Sequence, residues 1–556
     1  MVIAAAPPSL PAAPVAGQWV LAATILGSSL AFIDGTVVNV ALPAIQGELH
    51  ASAADVQWVI EAYALLLSAL ILVGGSLGDR LGRRRVFVTG IALFVAASMA
   101  CGLAPTLPAL VVARAVQGIG GALLVPGSLA IISAAFDEQR RGAAIGTWSA
   151  LTTITSALGP VLGGWLVQTA SWRWVFFINL PLGALTLYIT LRRVPESRNA
   201  AAGKLDWRGA LVVTLGLGAL VYGLIASSSL GLGAPLVVAT VVAGAALLAL
   251  FVVFEARERV PMVPLGLFRS RTFSGTNLLT LLLYAGLGGA LYFLPFMLQQ
   301  VQGYSAAEAG ASLLPFTIMI FVLSRWAGGL VRRVGARLPL VIGPLIAAGG
   351  FALFAVPGIG GSYWTTYFPA IVVLSLGMAL VIAPLTTAVM GAVGADRAGV
   401  ASGINNAVAR TAGLLAIAVL NLVVVSVFGG AFASALHAVH LPPAVYAALV
   451  GQRTRLAGVQ IPSGLSAAAH AAVRHAIATA FVAGFRTAML VGAGLAVAAA
   501  VAAALLVEGK QPPTSARVGA SGKGHGRVNP RRFPLEAFRH KVRRRGLQKG
   551  SMTHAS

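Results

Sequence analysis

Long apolar segments with few charged residues constrain this chain more than any other feature of its sequence. Each is about 18 residues or longer, which is enough to cross a bilayer as a helix. We identify fourteen candidates, at about 19–42, 57–77, 86–104, 108–134, 142–168, 173–191, 208–227, 235–254, 273–298, 310–331, 338–356, 364–390, 400–428 and 485–507. Only 10% of all residues are charged, against about 25% in soluble domains. The sequence therefore predicts an all-α integral membrane protein. We expect the first apolar run to be a transmembrane helix and not a cleavable signal.

The distribution of basic residues predicts how the chain lies in the membrane. An even number of spans places both termini on one side, and we assign that side to the cytoplasm. Most of the 39 Lys and Arg residues then fall in inner loops or in the C-terminal tail. The outer side holds only Arg173, Arg453, Arg455, Arg474 and Arg486. This bias follows the positive-inside rule, so the net charge of +24 is read as a topology signal and no nucleic-acid partner is expected.

Two gapless internal matches indicate a duplicated architecture. The segments Gly75–Arg84 and Gly328–Arg337 match, and so do Gly142–Gly146 and Gly399–Gly403. Both pairs relate span n to span n+8. Two six-helix halves with two extra central helices, spans 7 and 8, account for that offset. Such halves, related by an axis along the membrane normal, are one plan of secondary transporters.

This plan divides the chain into five predicted parts. They are a cytoplasmic N-terminus (1–18), a first half (19–191), two extra helices with their flanking loops (192–272), a second half (273–507) and a basic disordered cytoplasmic tail (508–556). Within the second half, 429–484 is predicted to be an external loop carrying a surface helix. A fifteenth span there is the alternative, but it would put the basic tail outside. We expect the tail to rest on anionic lipid headgroups.

Several motifs resemble those of a known transporter family. The loop Gly75–Arg84 resembles the G-x-L-a-D-R-x-G-R-R signature of the major facilitator superfamily. Arg114–Gly121 in span 4 and Ala157–Gly164 in span 5 resemble two further motifs of that superfamily, the second of which is associated with exporters. Ala31–Pro43 and Trp172–Pro181 are similar to fourteen-span drug:proton antiporters of the EmrB/QacA type. The resemblance covers roughly 19–507.

The resemblance implies roles for two of these motifs. The conformational motif comprises Gly75, Asp79, Arg80, Gly82, Arg83 and Arg84. Asp79 is expected to pair with a neighbouring helix N-terminus and basic side chains, latching the halves together in one state; a loop that only fixes topology is the alternative. The second copy has Arg332 where Asp79 stands, so only the first half can form that latch. The antiporter motif comprises Gly159, Pro160, Gly163 and Gly164. It favours efflux, with a simple packing surface as the alternative.

Two carboxyl groups inside spans are the candidate coupling residues. Asp34 in span 1 is the first candidate and Glu61 in span 2 the second, because acids inside a membrane tend to face an interior cavity. A carboxyl group removed from water can exchange a proton for a cationic substrate. Arg114 is expected to tune both acids. The alternatives are that Asp34 only bonds neighbours such as Thr36 and Asn39, and that Glu61 is partly wetted. Further candidate polar groups of the cavity are Asn39, Asn405, Asn406 and Arg410.

The predicted function is proton-coupled efflux of amphipathic or cationic small molecules by alternating access. Export of a lipid, a sugar or a self-made antibiotic is the alternative. The histidines lie outside the spans and no metalloprotease, nucleophile-elbow or Walker motif occurs, so we expect no enzyme activity, catalytic residue, metal or cofactor. The expected partners are the transported molecule, protons, membrane lipids and a periplasmic adaptor. The expected location is the bacterial inner (plasma) membrane.

Overall fold

The computed structural model describes residues 14–198, 206–258, 261, 263–393 and 398–509, and the predicted tail lies outside them. Helices make up most of the described chain. Their bounds are α1 Pro14–Glu48, α2 Ala53–Leu81, α3 Arg83–Leu103, α4 Leu107–Ala135, α5 Glu138–Thr169, α6 Trp174–Phe177, α7 Asn179–Arg193, α8 Trp207–Leu230, α9 Pro235–Arg257, α10 Arg271–Phe296, α11 Ala306–Ala311, α12 Leu314–Val334, α13 Arg337–Phe354, α14 Tyr363–Gly391, α15 Ala398–His437, α16 Pro443–Val450 and α17 Ala467–Leu506. Short 3₁₀ turns span Leu265–Arg269 and Arg453–Gly458, and a π-helical turn spans Met297–Val301.

Thirteen helical stretches of the described chain are long and apolar enough to cross a membrane. They coincide with thirteen of the fourteen predicted spans. At the fifth predicted span lies α5, a helix of 32 residues. It is long enough to span, but its basic first turn and the Thr and Ser residues of its middle make it less apolar than the others. The mostly helical, many-span architecture predicted from the sequence is confirmed.

The last predicted span is the second part of a longer helix. We expected it at 485, but α17 starts at Ala467 and runs for 40 residues. The predicted surface helix is therefore the first part of α17, and α15 also continues past its predicted end, to His437. Between them, residues 438–466 form a compact segment around α16 and the turn Arg453–Gly458, which we call the outer cap. It holds no helix of spanning length, so the fifteenth span is wrong.

The two halves repeat the same packing. In the first half, α1 packs against α4, α5 and α7, while α2 and α3 pack against α4. In the second, α10 packs against α14, α15 and α17, while α12 and α13 pack against α14. Gly82 and Gly335 end equivalent helices with positive φ angles of 114° and 79°, which L side chains rarely adopt. These correspondences follow the n+8 relation found in the sequence.

The extra helices cover one of the two seams between the halves. Helix α8 packs against α2 of the first half and α15 of the second, and α9 packs against α8. Leu65 of α2, Leu217 and Val221 of α8, and Leu414 of α15 share one apolar cluster there. On the other seam, α5 packs directly against α11 and α12.

The halves are joined at the outer end, meaning the end opposite the Gly75–Arg84 loop. Gln299 donates a hydrogen bond of 3.1 Å to the Val40 carbonyl oxygen of α1. Gln46 of α1 accepts a 3.1 Å hydrogen bond from the Gln300 side chain and donates one of 3.1 Å to the Arg455 carbonyl oxygen in the outer cap. Gln46 is 3% exposed. Its single amide thus connects the first half, the second half and the cap.

Candidate transport site

Asp34 and Arg114 form a buried ion pair inside the first half. The side chains come from α1 and α4, are 0% and 1% exposed, and approach to 2.5 Å between Oδ2 and Nη1. The guanidinium Nε also donates to the Val59 carbonyl oxygen of α2 at 2.8 Å. Removing one partner of such a pair leaves a charge buried without compensation. The pair therefore fastens three helices of the first half to one another.

Three neutral side chains complete this arrangement. Gln117 donates to Asp34 Oδ1 at 2.9 Å and accepts from Arg114 Nη1 at 2.6 Å. Asn179 donates to Asp34 Oδ1 at 3.3 Å. Ser98 Oγ accepts from Gln117 at 2.9 Å and from Asn179 at 2.8 Å. All five side chains are buried. We call Asp34, Ser98, Arg114, Gln117 and Asn179 the Asp34 network.

An aromatic ring borders the Asp34 network on the α2 side. The guanidinium carbon of Arg114 lies 4.2 Å from the Tyr63 ring centroid, which allows a cation–π interaction. The Tyr63 hydroxyl donates to the Ala31 carbonyl oxygen at 3.3 Å. The ring is 4% exposed, so it is a buried neighbour of the ion pair on the α2 side.

The neighbours that the sequence offered as partners of Asp34 do not bond it. Thr36 donates to the Ile33 and Ser156 carbonyl oxygens at 3.0 and 3.1 Å. Asn39 is half-buried and forms no hydrogen bond with any residue that the structure describes. The partners of Asp34 thus come from α4 and α7, and not from residues within one helical turn of it in α1.

Glu61 is buried in a different environment, without a cation. It lies on α2 and is 0% exposed. Gln57 Nε2 donates to its Oε1 at 3.3 Å, whereas no described group hydrogen-bonds its Oε2. In α10, the Tyr292 hydroxyl is also buried and lacks a partner within the described chain. The partly wetted carboxylate considered for Glu61 is therefore wrong.

The polar candidates of the second half lie apart from both acids. Asn405 donates to Asn277 Oδ1 at 3.2 Å and to Thr280 Oγ1 at 2.8 Å, which ties α15 to α10. Asn406 is exposed and donates to the Ser402 carbonyl oxygen of its own helix. Arg410 is half-buried.

The antiporter motif packs α5 closely against both halves. A methyl group on Gly159 would overlap Thr36 of α1, and one on Gly163 would overlap Val37. A methyl group on Gly164 would overlap the Ala306 carbonyl oxygen at the start of α11, and Gly310 approaches the Pro160 carbonyl as closely. The motif therefore forms part of the closed outer end.

The conformational motif differs from its expected pairing. Asp79 binds Arg83 of its own loop, with 2.8 Å from Nε to Oδ1. The amide N–H groups at the start of α3 are instead bound by Glu196, which accepts from Arg84 and Arg85 at 3.0 and 3.1 Å. The N-terminus of α3 is thus occupied by a carboxylate that the motif does not contain, and Asp79 forms no hydrogen bond or ion pair with any described residue of the second half.

Several residues of the site were missed in the sequence. Gln117 and Asn179 lie inside two of the recognised motifs, so their polarity within an apolar span was an available signal. Ser98, Gln57 and Tyr292 carried no such signal, because polar or aromatic residues of these types occur throughout the spans.

Comparisons with known proteins agree with this architecture. The family model described as Major Facilitator Superfamily matches residues 24–417. The chain is 38% identical to "Multidrug resistance protein Stp" of Mycobacterium tuberculosis (strain CDC 1551 / Oshkosh), over 72% of this chain and 75% of that protein. It is 35% identical to the "Tetracenomycin C resistance and export protein" of Streptomyces glaucescens, over 91% and 95% of the two chains.

Solved structures show the same fold at low sequence identity. A bacterial homologue of the human lysosomal transporter Spinster, in an inward-facing and unoccupied conformation, superposes with a TM-score of 0.62 at 17% identity. That match covers 89% of this chain and 98% of the other. With the repeated six-helix halves and the family match over most of the chain, the protein belongs to the major facilitator superfamily of membrane transporters.

Proposed function

We propose that this transporter exports amphipathic small molecules and is driven by protons entering in exchange. Its relatives are named for multidrug resistance and antibiotic export, and transporters of this superfamily work by alternating access. The predicted placement in a bacterial inner membrane, with both termini in the cytoplasm, sets the direction: outward for the exported molecule and inward for the proton.

The buried, cation-free carboxyl group of Glu61 carries the proton-coupling part of this proposal. One of its oxygens accepts a single hydrogen bond, from Gln57, and the other has no partner among the described residues. A carboxylate in such a place is costly while it is charged. A proton removes that cost. Glu61 therefore belongs, protonated, to the outer-closed arrangement, and its charged form favours an arrangement that lets water reach it.

Asp34 has a different part in this mechanism. Protonating it would leave Arg114 buried without a counter-charge, which costs several kcal/mol. The Asp34 network instead holds α1, α4 and α7 in register while the halves rock. Glu61 lies outside that network, on the helix that forms the seam with α15. We thus assign the proton to Glu61 and the positioning of the helices to Asp34 and Arg114.

Reconstituted vesicles with an imposed pH gradient test this assignment. We expect wild-type protein to accumulate a fluorescent amphipathic dye in response to the gradient. Glu61→Gln should abolish the response to the gradient while leaving dye exchange at equal pH intact, and Glu61→Asp should keep part of the response. Gradient-driven accumulation by Glu61→Gln at the wild-type level would contradict the assignment.

Export of a self-made antibiotic is the second candidate. The tetracenomycin C relative matches 91% of this chain, including the region of the outer cap, whereas the Stp match covers 72%. A growth assay comparing tetracyclic aromatic antibiotics with unrelated drugs separates the two: a narrow resistance profile favours the antibiotic exporter. A periplasmic adaptor as a partner stays a prediction.

A further inference from the structure

The charged side chains in the middle of the spans differ in their exposure. Apart from Arg325, whose side chain lies outside the described part of the structure, Asp34, Glu61, Arg114 and Arg410 are the charged residues there. The first three are 0–1% exposed. Arg410, in contrast, is half-buried. Arg410 is therefore the most accessible of these four charged side chains.

Arg410 faces the seam between the halves. Ala407, about one turn before it, packs against the cluster that contains Tyr63 and Leu67 of α2. Leu414, about one turn after it, packs with Leu65 of α2. Residues three and four apart share one face of a helix, so Arg410 lies on the face of α15 that meets the first half.

No acid within the described chain compensates this guanidinium. None of the five ion pairs formed by the described residues includes it. Asp34 pairs with Arg114, and Glu61 accepts a hydrogen bond from Gln57. The second half has only two acids between 271 and 507. Glu308 caps the start of α11 at the outer end, and Asp396 lies outside the described residues.

An uncompensated cation in a membrane interior is expensive and marks a functional site. We propose that Arg410 is a specificity-determining residue that binds an anionic or strongly hydrogen-bond-accepting oxygen of the exported molecule. The guanidinium presents several N–H donors in a planar fork suited to phenolate, carboxylate and carbonyl oxygens. The substrates are therefore neutral or acidic oxygen-rich amphiphiles, and lipophilic cations are repelled. This inference rests on the proposed export function and narrows its substrate class.

Two dyes with the same xanthene skeleton and opposite charge test the inference. Fluorescein is anionic and rhodamine 123 is cationic, and binding of each to purified full-length protein is followed by fluorescence anisotropy without any proton gradient. We expect wild-type protein to bind fluorescein at least tenfold more tightly than rhodamine 123. Tighter binding of rhodamine 123 would overturn the inference without any variant.

Variants then assign the preference to one side chain. Arg410→Gln should weaken fluorescein binding about tenfold and leave rhodamine 123 binding unchanged or tighter, while Arg410→Lys should restore part of the loss. Arg474→Gln is the matched control, since Arg474 is an exposed arginine near the start of α17. Equal weakening of both dyes in Arg410→Gln would indicate a structural role and overturn the inference. Because binding is measured at equal pH, failure of proton coupling leaves this result unaffected.

Discussion

At the scale of single residues, the two buried acids of the first half differ in their partners and not in their burial. Asp34 is neutralised by Arg114 and bonded by two amides, whereas Glu61 has one amide partner and no cation. Both are fully buried. Because an uncompensated charge is costly in the protein interior, the presence or absence of a cationic partner determines which carboxyl group we expect to exchange a proton. The roles that we propose, positioning of the helices and proton coupling, thus fall on two residues of the same chemical type.

The Asp34–Arg114 pair should show strong coupling in unfolding experiments. Asp34→Asn and Arg114→Gln should each lower the free energy of unfolding by about 3 kcal/mol, because each leaves one buried charge unpaired. The double variant should lose less than the sum of the two. Denaturation of purified protein in detergent measures this.

A half-exposed ion pair at the outer end supplies the control for the comparison of the single and double variants. Arg173 and Glu48 pair on a solvent-accessible surface, so Arg173→Gln should cost less than about 1 kcal/mol. Additive losses at Asp34 and Arg114 would show that the buried pair contributes no coupling.

These partners mark the limit of what the sequence could predict at this scale. The positions of Asp34, Glu61 and Arg114 inside spans were predicted, since a charge within an apolar run is visible in the sequence. The pairing was not, because α1, α4 and α7 bring together residues that are 80 to 145 positions apart. Local spacing offered Thr36 and Asn39 as the alternative partners.

At the scale of helices, the glycines of α5 determine how closely the two halves approach. Gly164 touches the backbone of α11 with no room for a methyl group. Gly164→Ala should destabilise the closed outer end by about 2 kcal/mol, since overpacking of this kind is not relieved by side-chain rotation. The expected result is a longer distance between spin labels at Gln168 and Ser362, both exposed at that end.

Another glycine of the same helix provides the control. A methyl group on Gly146 would have no neighbouring atom within 4 Å, so Gly146→Ala should leave the label distance unchanged and slightly favour the helix. A shift of equal size in both variants would contradict the packing role of the antiporter motif.

The outer cap is an element that the sequence analysis described incompletely. An Ala-rich segment with scattered charges gives a weak pattern, so a loop was predicted. The structure buries Leu449 and Leu456 of this segment completely or nearly so, at 0% and 4% exposure, within the main apolar core. Those contacts join residues that are hundreds of positions apart in the sequence, and the local pattern of apolar residues does not reveal them.

The Gln46 amide should hold the outer cap in place. Gln46→Leu removes the hydrogen bonds to Gln300 and to the Arg455 carbonyl, and we expect faster amide hydrogen exchange in residues 453–459. Gln302→Leu is the matched control, because Gln302 bonds Tyr367 and Gly358 within the second half only. Unchanged exchange in Gln46→Leu would show that apolar contacts alone retain the cap.

At the scale of the whole molecule, the arrangement of two six-helix halves with two extra helices between them was predictable. A duplication leaves gapless sequence matches, and here they are found in equivalent loops of the two halves. The packing of α1 to α7 against one another recurs in α10 to α17. The place of the extra helices was not predictable, since their apolar sequences carry no feature that distinguishes one seam from the other.

The predicted orientation can be tested with cysteine labelling, because the single native thiol, Cys101, is fully buried. Gly464→Cys in the outer cap should react in intact cells with a membrane-impermeant maleimide. Leu81→Cys, exposed at the opposite end, should react only after the cells are opened. The reverse pattern would place both termini outside.

The packing of α8 makes the two flanks of the molecule, viewed in the plane of the bilayer, different from each other. On one flank, α8 and α9 stand between the surrounding lipid and the contact of α2 with α15. On the other, α5 meets α12 with no additional described helix outside them. Lipid on the second flank therefore lies next to the seam between the halves, whereas lipid on the first flank is separated from the other seam by α8 and α9.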